Sequence, residues 1–170
     1  FTGETAGAGE VGHMVVKVNG PRCETCGNYG CLEAIASEKA IKKRCLEAIR
    51  GGKSTMLTSI CNNLDKPIMK EILKAQEYGD EVVCEIIQEA IDYLGITLAN
   101  IINFISPRLV IVDGYIMSLE QNRIRFLEIV KKNLFGLNDD EVEIEFTQFN
   151  EFSGARGAAA LAVKEYLIEG

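Results

Sequence analysis

The chain has 170 residues, of which 47% are apolar, 25% charged and 7% aromatic, a composition typical of a folded, water-soluble domain with its own core. No apolar run approaches the roughly 20 residues that a membrane-spanning helix needs, and the first residues lack the basic and apolar regions of a secretory signal. These features argue against disorder or membrane insertion and predict a cytoplasmic location. A net charge of −7 opposes direct binding of nucleic acid by these residues, because phosphate contacts need a concentrated positive surface.

The first half of the sequence predicts one short strand and then helices. Alternating apolar and polar residues at 13–18 suit a strand. After a cysteine-rich segment, Ser37 is a candidate N-cap for a helix that the glycines at 51–52 end. Two shorter apolar patterns, at 56–64 and 68–79, predict two further helices.

Asp80 is a candidate N-cap for the longest predicted helix, which Pro107 ends. Apolar residues cover wide arcs of this helix, so we expect it to lie deep in the core. Three cysteines on helical patterns are expected to be small core side chains rather than reactive thiols: Cys45, Cys61 and Cys84.

The last third alternates predicted strands and helices. The apolar run at 109–112 is typical of a strand covered on both faces. Ser118 and Gln121 have the spacing of a capping box that would open a helix ending near residue 134. Strict alternation at 142–146 predicts a half-exposed edge strand, and Ser153 opens a last helix. This order favours an α/β fold with a parallel pair of strands.

Three of the six cysteines lie within nine residues, at Cys23, Cys26 and Cys31. The only histidine of the chain, His13, lies ten residues before the first of them. One imidazole and three thiolates suit tetrahedral Zn²⁺, and the first two cysteines have the spacing of a zinc knuckle. Because this set fills four coordination positions, the predicted zinc is structural rather than hydrolytic. The alternative is a cluster of reduced cysteines beside a surface histidine.

Two short sequence boxes surround this cluster. The first is Gly-Glu-Val-Gly-His at 9–13, and the second is Cys-Gly-Asn-Tyr-Gly-Cys-Leu-Glu at 26–33. Together they resemble the signature of the ROK family of bacterial sugar kinases and sugar-responsive transcriptional repressors. The sequence departs from the family pattern in one respect, because two residues, Glu24 and Thr25, separate the first two cysteines where the family usually has one.

The resemblance implies an α/β fold, namely the C-terminal part of an actin-like, ribonuclease-H-like sugar-kinase fold with a small zinc-binding loop insertion. Residues 1–170 would then form one C-terminal domain fragment in three parts: a zinc- and sugar-binding loop at 10–35, a helical segment at 37–106 and a βαβα segment at 107–170. The phosphate loop, the nucleotide cleft and the catalytic aspartate of the family would precede this stretch. We therefore expect no catalytic residue in it and no catalysis by it alone.

The resemblance also implies that Glu10, His13 and Glu33 contact sugar hydroxyls. Carboxylates accept strong, charge-assisted hydrogen bonds from hydroxyl groups. A metal-bound imidazole presents its second nitrogen as an N–H donor, so His13 would connect the zinc to the sugar. The alternative is that Glu10 and Glu33 are ordinary solvated carboxylates, with Glu33 favoured at a helix start.

The expected function is that of the sugar-binding effector domain of a ROK-type transcriptional regulator, stabilised by structural zinc. Where kinases of the family carry consecutive glycines that admit the nucleotide, this chain has Asp113, Gly114 and Tyr115. The segment at 51–80 also resembles the repressor branch more than the kinases. The alternative is the C-terminal half of a glucokinase-like ROK sugar kinase, which would need ATP and Mg²⁺. The expected partners are a small sugar, the N-terminal half of the same protein and further copies of it.

Overall fold

Helices dominate the part of the chain that the structure, a computed structural model, describes: residues 4, 7–136, 142–147, 152–164 and 166. A single two-stranded sheet is found in the same residues. In chain order the elements are a 3₁₀ turn (Val11–His13), α1 (Leu32–Ala36), α2 (Glu38–Arg50), α3 (Leu57–Ile60), α4 (Met69–Glu77), α5 (Glu81–Ile105), β1 (Leu109–Val112), a second 3₁₀ turn (Tyr115–Ser118), α6 (Glu120–Asn133), β2 (Glu143–Phe146) and α7 (Ser153–Val163).

Helix α5 lies at the centre of the core, as its wide apolar surface predicts. Helices α1, α2, α4 and α6 all pack against it. Its fully buried apolar residues are Val83, Ile87, Ala90, Ile91, Ala99 and Ile102. The side chain of Asp80 caps the helix by accepting a hydrogen bond from the Val83 N–H at 3.0 Å, which confirms the predicted N-cap. Despite its 25 residues, neither α5 nor any other described helix has the length and apolar character needed to cross a membrane.

The predicted start of α2 is also confirmed. The Ser37 hydroxyl accepts a hydrogen bond from the Ala40 N–H at 3.1 Å, and the helix ends at Arg50, immediately before the two glycines. The next predicted helix, at 56–64, is shorter than expected, because α3 spans only Leu57–Ile60. Consequently Cys61 follows a helix end and is half-buried, whereas Cys45 is fully buried, as predicted for a core residue.

A buried pair of amides joins α4 to α6. The Gln76 Nε2 donates to Asn122 Oδ1 at 2.6 Å, and the Asn122 Nδ2 donates to Gln76 Oε1 at 3.1 Å and to the Ile116 carbonyl at 2.8 Å. Both side chains are more than nine-tenths buried, so these polar atoms need partners within the protein. The two complementary amides satisfy each other.

The two strands pair in parallel, as predicted, with Leu109 opposite Glu143 and Val112 opposite Phe146. The half-exposed character of β2 is confirmed too, since its apolar residues face the core and its glutamates face solvent. The prediction that β1 is covered on both faces is wrong. Leu109 is 45% exposed and Ile111 61% exposed, because the described residues cover only the opposite face of the strand.

Two further local predictions are wrong. Residues 13–18 do not form a strand, because the N–H groups of Val16 and Lys17 both bond to the single carbonyl of Gly30 instead of forming a ladder. The capping box at the start of α6 is also absent. Ser118 ends the second 3₁₀ turn, and Leu119 takes the N-cap position without a side-chain hydrogen bond.

Candidate metal centre and ligand site

The loop that carries the cysteines depends on two glycines at the point where two of its segments come into close contact. Gly30 has a φ of +75°, and a Cβ atom on it would lie 1.8 Å from the Lys17 carbonyl oxygen. A Cβ on Gly20 would lie 2.8 Å from the Gly30 Cα. Only residues without a side chain allow this backbone approach. This contact brings the segment after His13 against the segment that ends at Cys31, through an antiparallel bridge between Val15 and Cys31.

A tight turn places the first two cysteines on the same side of the loop. The Cys23 N–H donates to the Asn28 carbonyl at 2.7 Å, and the Gly27 N–H donates to the Cys23 carbonyl at 3.0 Å. Gly27 adopts a φ of +80°, a conformation that favours glycine. The turn brings the Cys23 and Cys26 sulfurs close enough together to share one metal ion.

The four predicted ligands come together in the structure. One ligand atom from each of His13, Cys23, Cys26 and Cys31 lies within 4.8 Å of all the others. The Sγ atoms of Cys26 and Cys31 are 3.5 Å apart, and Cys23 Sγ is 3.8 Å from His13 Nδ1. With Zn–S bonds of about 2.3 Å and a Zn–N bond of about 2.0 Å, a tetrahedral site needs S···S and S···N separations of about 3.5–3.8 Å. The residues present therefore fit a tetrahedral Zn²⁺ ion.

The surroundings of the sulfurs differ. The backbone N–H groups of Cys26 and Thr25 point at the Cys23 sulfur and lower the pKa of this thiol to about 7. Burial, together with the neighbouring Cys26 sulfur, raises the pKa of the Cys31 thiol to about 11. A bound cation would hold both sulfurs as thiolates, including the buried Cys31 sulfur whose pKa is raised.

Two of the three predicted sugar-binding residues lie side by side next to this cluster. While His13 Nδ1 faces the sulfurs, its Nε2 faces Glu33, with 3.8 Å between Nε2 and Oε2. Glu33 lies in the first turn of α1, two residues after Cys31, so the same loop contact positions both side chains. The third residue, Glu10, is the N-cap residue before the 3₁₀ turn that contains His13, and it is exposed.

Sequence reasoning missed the contacts of the two residues between Cys23 and Cys26. The Glu24 carboxylate pairs with Lys39 at 2.8 Å and with Lys43 at 3.0 Å, and these ammonium groups lower the pKa of Glu24 to about 2. The Thr25 hydroxyl donates to Glu33 Oε1 at 2.5 Å. The extra residue in this turn was the one feature of the sequence that could have pointed to these contacts, because it marks a place where the chain departs from the pattern of the ROK family.

Comparisons with known proteins agree with this fold. The model of the ROK family matches residues 1–165. The DNA-binding transcriptional dual regulator NagC of Escherichia coli (strain K12) is 36% identical over 121 residues, which are 71% of this chain and 28% of that protein. The glucokinase of Thermotoga maritima is 34% identical over 114 residues, 67% of this chain and 36% of that protein. The xylose repressor of Caldicellulosiruptor bescii is 28% identical over 170 residues, 98% of this chain and 42% of that protein.

Solved structures show the same relationship. The ROK hexokinase from Thermus thermophilus superposes with a TM-score of 0.75 at 26% identity, over 97% of this chain and 51% of that one. A ROK family transcriptional regulator, described as a homolog of the E. coli MLC protein, also gives 0.75, at 27% identity, over 89% of this chain and 37% of that one.

The fold thus defines a part of an actin-like sugar-kinase fold. The chain belongs to the ROK family. It spans between 28% and 42% of the length of the three curated relatives described above.

Proposed function

We propose that this chain is the sugar-binding effector part of a ROK-type transcriptional regulator, with a structural Zn²⁺ ion on His13, Cys23, Cys26 and Cys31. The observation that carries the proposal is the two-sided placement of the imidazole, with Nδ1 facing the sulfurs and Nε2 facing Glu33. With Nδ1 on a metal, the neutral ring carries its proton on Nε2. The ring then presents a fixed donor beside a carboxylate acceptor.

This donor and acceptor suit a sugar hydroxyl, because a hydroxyl can accept one hydrogen bond and donate another. An oxygen about 2.8 Å from both His13 Nε2 and Glu33 Oε2 fits the 3.8 Å gap between these atoms. The hydroxyl would accept from the Nε2–H and donate to the carboxylate. Glu10 would add a second carboxylate for a neighbouring hydroxyl.

The features near β1 favour a regulator over a kinase. Asp113 follows the strand, and its Oδ1 accepts a hydrogen bond from the Thr147 hydroxyl at 2.5 Å. A carboxylate held here would repel the phosphates of a nucleotide. The names of NagC and of the xylose repressor point in the same direction. Sugar binding would act on the DNA-binding part by favouring one conformation, to the extent that the sugar binds the two conformations with different affinities.

The kinase alternative is supported by the glucokinase of Thermotoga maritima and by the structure of a ROK family glucokinase from Streptomyces griseus in complex with glucose and AMPPNP. This structure superposes with a TM-score of 0.66 at 25% identity, over 91% of this chain and 51% of that one. Under this alternative the complete protein would bind ATP and Mg²⁺. Phosphorylation of D-glucose or N-acetylglucosamine at about 1–100 s⁻¹ by the full-length protein would establish a kinase. Sugar-dependent release of DNA, without phosphorylation, would establish a regulator.

Substitution of Glu33 by Gln tests the sugar site. In the full-length protein we expect Glu33→Gln to keep one zinc per chain and to weaken sugar binding by about tenfold to a hundredfold, because a charge-assisted hydrogen bond is lost. Isothermal titration with D-glucose, N-acetylglucosamine and D-xylose measures the affinity, and elemental analysis measures the zinc. Glu38→Gln, an exposed carboxylate on α2, is the matched control. Equal affinities for the wild type and Glu33→Gln would remove Glu33 from the site.

A further inference from the structure

The two residues between Cys23 and Cys26 connect the metal turn to two different helices. Glu24 reaches α2 through its ion pairs with Lys39 and Lys43. Thr25 reaches α1 through its hydrogen bond to Glu33. The two contacts differ. The contact of Glu24 is an ion pair on the surface, whereas the Thr25 hydroxyl binds one oxygen of the Glu33 carboxylate, whose other oxygen faces His13.

We propose that Thr25 is a positioning residue for ligand recognition, which holds Oε1 of Glu33 so that Oε2 faces His13 Nε2. The inference rests on the proposed function of this site. The Glu33 side chain is 36% exposed, so without a partner it would move among several rotamers. A hydrogen bond at Oε1 removes part of this freedom before the sugar binds, and less entropy is then lost on binding.

The position of Thr25 also links Glu33 to the metal. Thr25 is adjacent to Cys26 and is separated from Cys23 by one residue, so ligands on both sides fix its backbone when the metal is bound. Glu33 is not a metal ligand, yet its orientation depends on this turn. A bound metal would therefore orient the sugar-binding groups in two ways. It would fix the His13 ring directly, and it would fix Glu33 through the hydrogen bond from the Thr25 hydroxyl.

Two substitutions distinguish the effect of the Thr25 hydroxyl group from the effect of the side-chain shape. Thr25→Val removes the hydroxyl and keeps the branched Cβ, whereas Thr25→Ser keeps the hydroxyl. In the full-length protein, titrated with D-glucose, N-acetylglucosamine and D-xylose, we expect Thr25→Val to raise the Kd by about threefold to tenfold with one zinc per chain retained. Thr25→Ser is expected to bind within about twofold of the wild type. In the Glu33→Gln background, Thr25→Val is expected to add little, because both changes act on the same interaction.

Glu24→Gln is the matched control, since it weakens the other contact of the same turn and leaves the Thr25 hydroxyl in place. We expect this control to leave the Kd unchanged. An equal rise of the Kd in Glu24→Gln and Thr25→Val would overturn the inference, because general loosening of the turn would then explain both. Loss of zinc from Thr25→Val would overturn the inference as well, because Thr25 would then be needed to fold the turn that carries Cys23 and Cys26 rather than to orient Glu33.

The remaining outcomes separate this inference from the proposed function. If Thr25→Val binds sugar as the wild type does while Glu33→Gln binds more weakly, Thr25 has no positioning role and the sugar site stands. If Glu33→Gln also binds as the wild type does, or if no sugar binds the wild type, the proposed function fails and this inference fails with it.

Discussion

Among single residues, Glu71 shows how a nearly buried carboxylate is stabilised by backbone groups. Its Oε1 accepts a hydrogen bond from the Asn62 N–H at 3.0 Å, and its Oε2 accepts one from the Ile68 N–H at 3.1 Å. These two bonds, that of Asn62 first, lower the pKa of Glu71 below its ordinary value of 4.5. The residue lies in the first turn of α4, where the helix dipole also favours negative charge.

We expect Glu71→Gln to lower the free energy of unfolding at pH 7 by about 1–2 kcal/mol, because a neutral amide accepts these hydrogen bonds less strongly. The pKa of Glu71 is lower in the folded than in the unfolded state. Its stabilising effect is therefore complete above pH 4.5 and is lost as the pH falls through the folded-state pKa. Urea unfolding at pH 7, 5 and 3 should show a smaller difference between the wild type and the variant at pH 3 than at pH 7.

The control for this experiment is Glu77→Gln, an exposed carboxylate at the other end of α4. It faces the negative end of the helix dipole, so its removal is not expected to destabilise the protein. A gap between wild type and Glu71→Gln that stays the same from pH 7 to pH 3 would contradict the role assigned to the ionised carboxylate.

Residue-level prediction from sequence succeeded where the partner was local. Ser37 and Asp80 cap helices that begin at the next residue, so their spacing alone identifies them. Glu33 was predicted as a site residue from a sequence box, but its contact with Thr25, eight residues away, depends on how the loop folds. The failure at Ser118 has a similar cause, because a second 3₁₀ turn takes the place of the expected cap.

At the scale of elements, α5 and α6 approach each other closely at Gly95. A Cβ atom on this glycine would lie 2.7 Å from Ile129 Cγ2 and 3.3 Å from the Phe126 carbonyl oxygen. Near the same contact, the Arg125 guanidinium donates to both carboxylate oxygens of Asp92, at 2.7 and 2.8 Å. The absence of a side chain at residue 95 therefore sets the distance between the two helices.

We expect Gly95→Ala to destabilise the protein by about 1–3 kcal/mol, because the added methyl group must displace Ile129 or separate the helices. This cost is opposed by the higher helix propensity of alanine, which favours the variant by about 1 kcal/mol. Asn100→Ala, at an exposed position of the same helix, gains propensity without a clash and is expected to be neutral or stabilising. Thermal unfolding of both variants decides the point, and an unchanged or higher Tm for Gly95→Ala would refute the steric role.

Secondary-structure elements were predicted correctly where the periodic apolar pattern extended over many residues or where apolar and polar residues alternated strictly. The 25-residue apolar pattern identified α5, and the alternating glutamates identified β2. Residues 13–18 alternate too, but a strand also needs a partner for each N–H group, and here Gly30 supplies one carbonyl for two of them. The apolar run of β1 likewise contains no information on what covers each face.

For the whole molecule, the cluster of His13, Cys23, Cys26 and Cys31 lies in an N-terminal part that has few helices. Between the turn at Val11–His13 and α1 the described residues form only loops and isolated bridges, and the described cysteines are all free thiols. If zinc holds this region, its binding free energy contributes directly to folding. Removal of one ligand then affects the stability of the entire chain.

We expect Cys26→Ser to lose zinc and to lower the free energy of unfolding by about 3 kcal/mol or more, equivalent to a fall in Tm of about 6–12 °C. The Cys26 side chain is exposed, so little packing is lost and the effect reports on the metal. Cys84→Ser, on α5, should retain zinc and serves as the comparison. Elemental analysis and melting curves with and without a chelator measure both quantities, and one zinc per chain in Cys26→Ser with an unaltered melting curve would count against the metal site.

The Gln76–Asn122 pair connects α4 and α6 through uncharged groups, in contrast to the ion pairs found elsewhere in the described part of the chain. Lys17 and Arg44 hold Glu89 by ionic contacts at partly exposed sites, and ions in solution weaken such contacts. Neither member of the amide pair carries a charge, so dissolved ions do not screen the two hydrogen bonds between α4 and α6. Added salt should therefore weaken the ionic contacts of Glu89 on α5 more than the hydrogen bonds between Gln76 and Asn122.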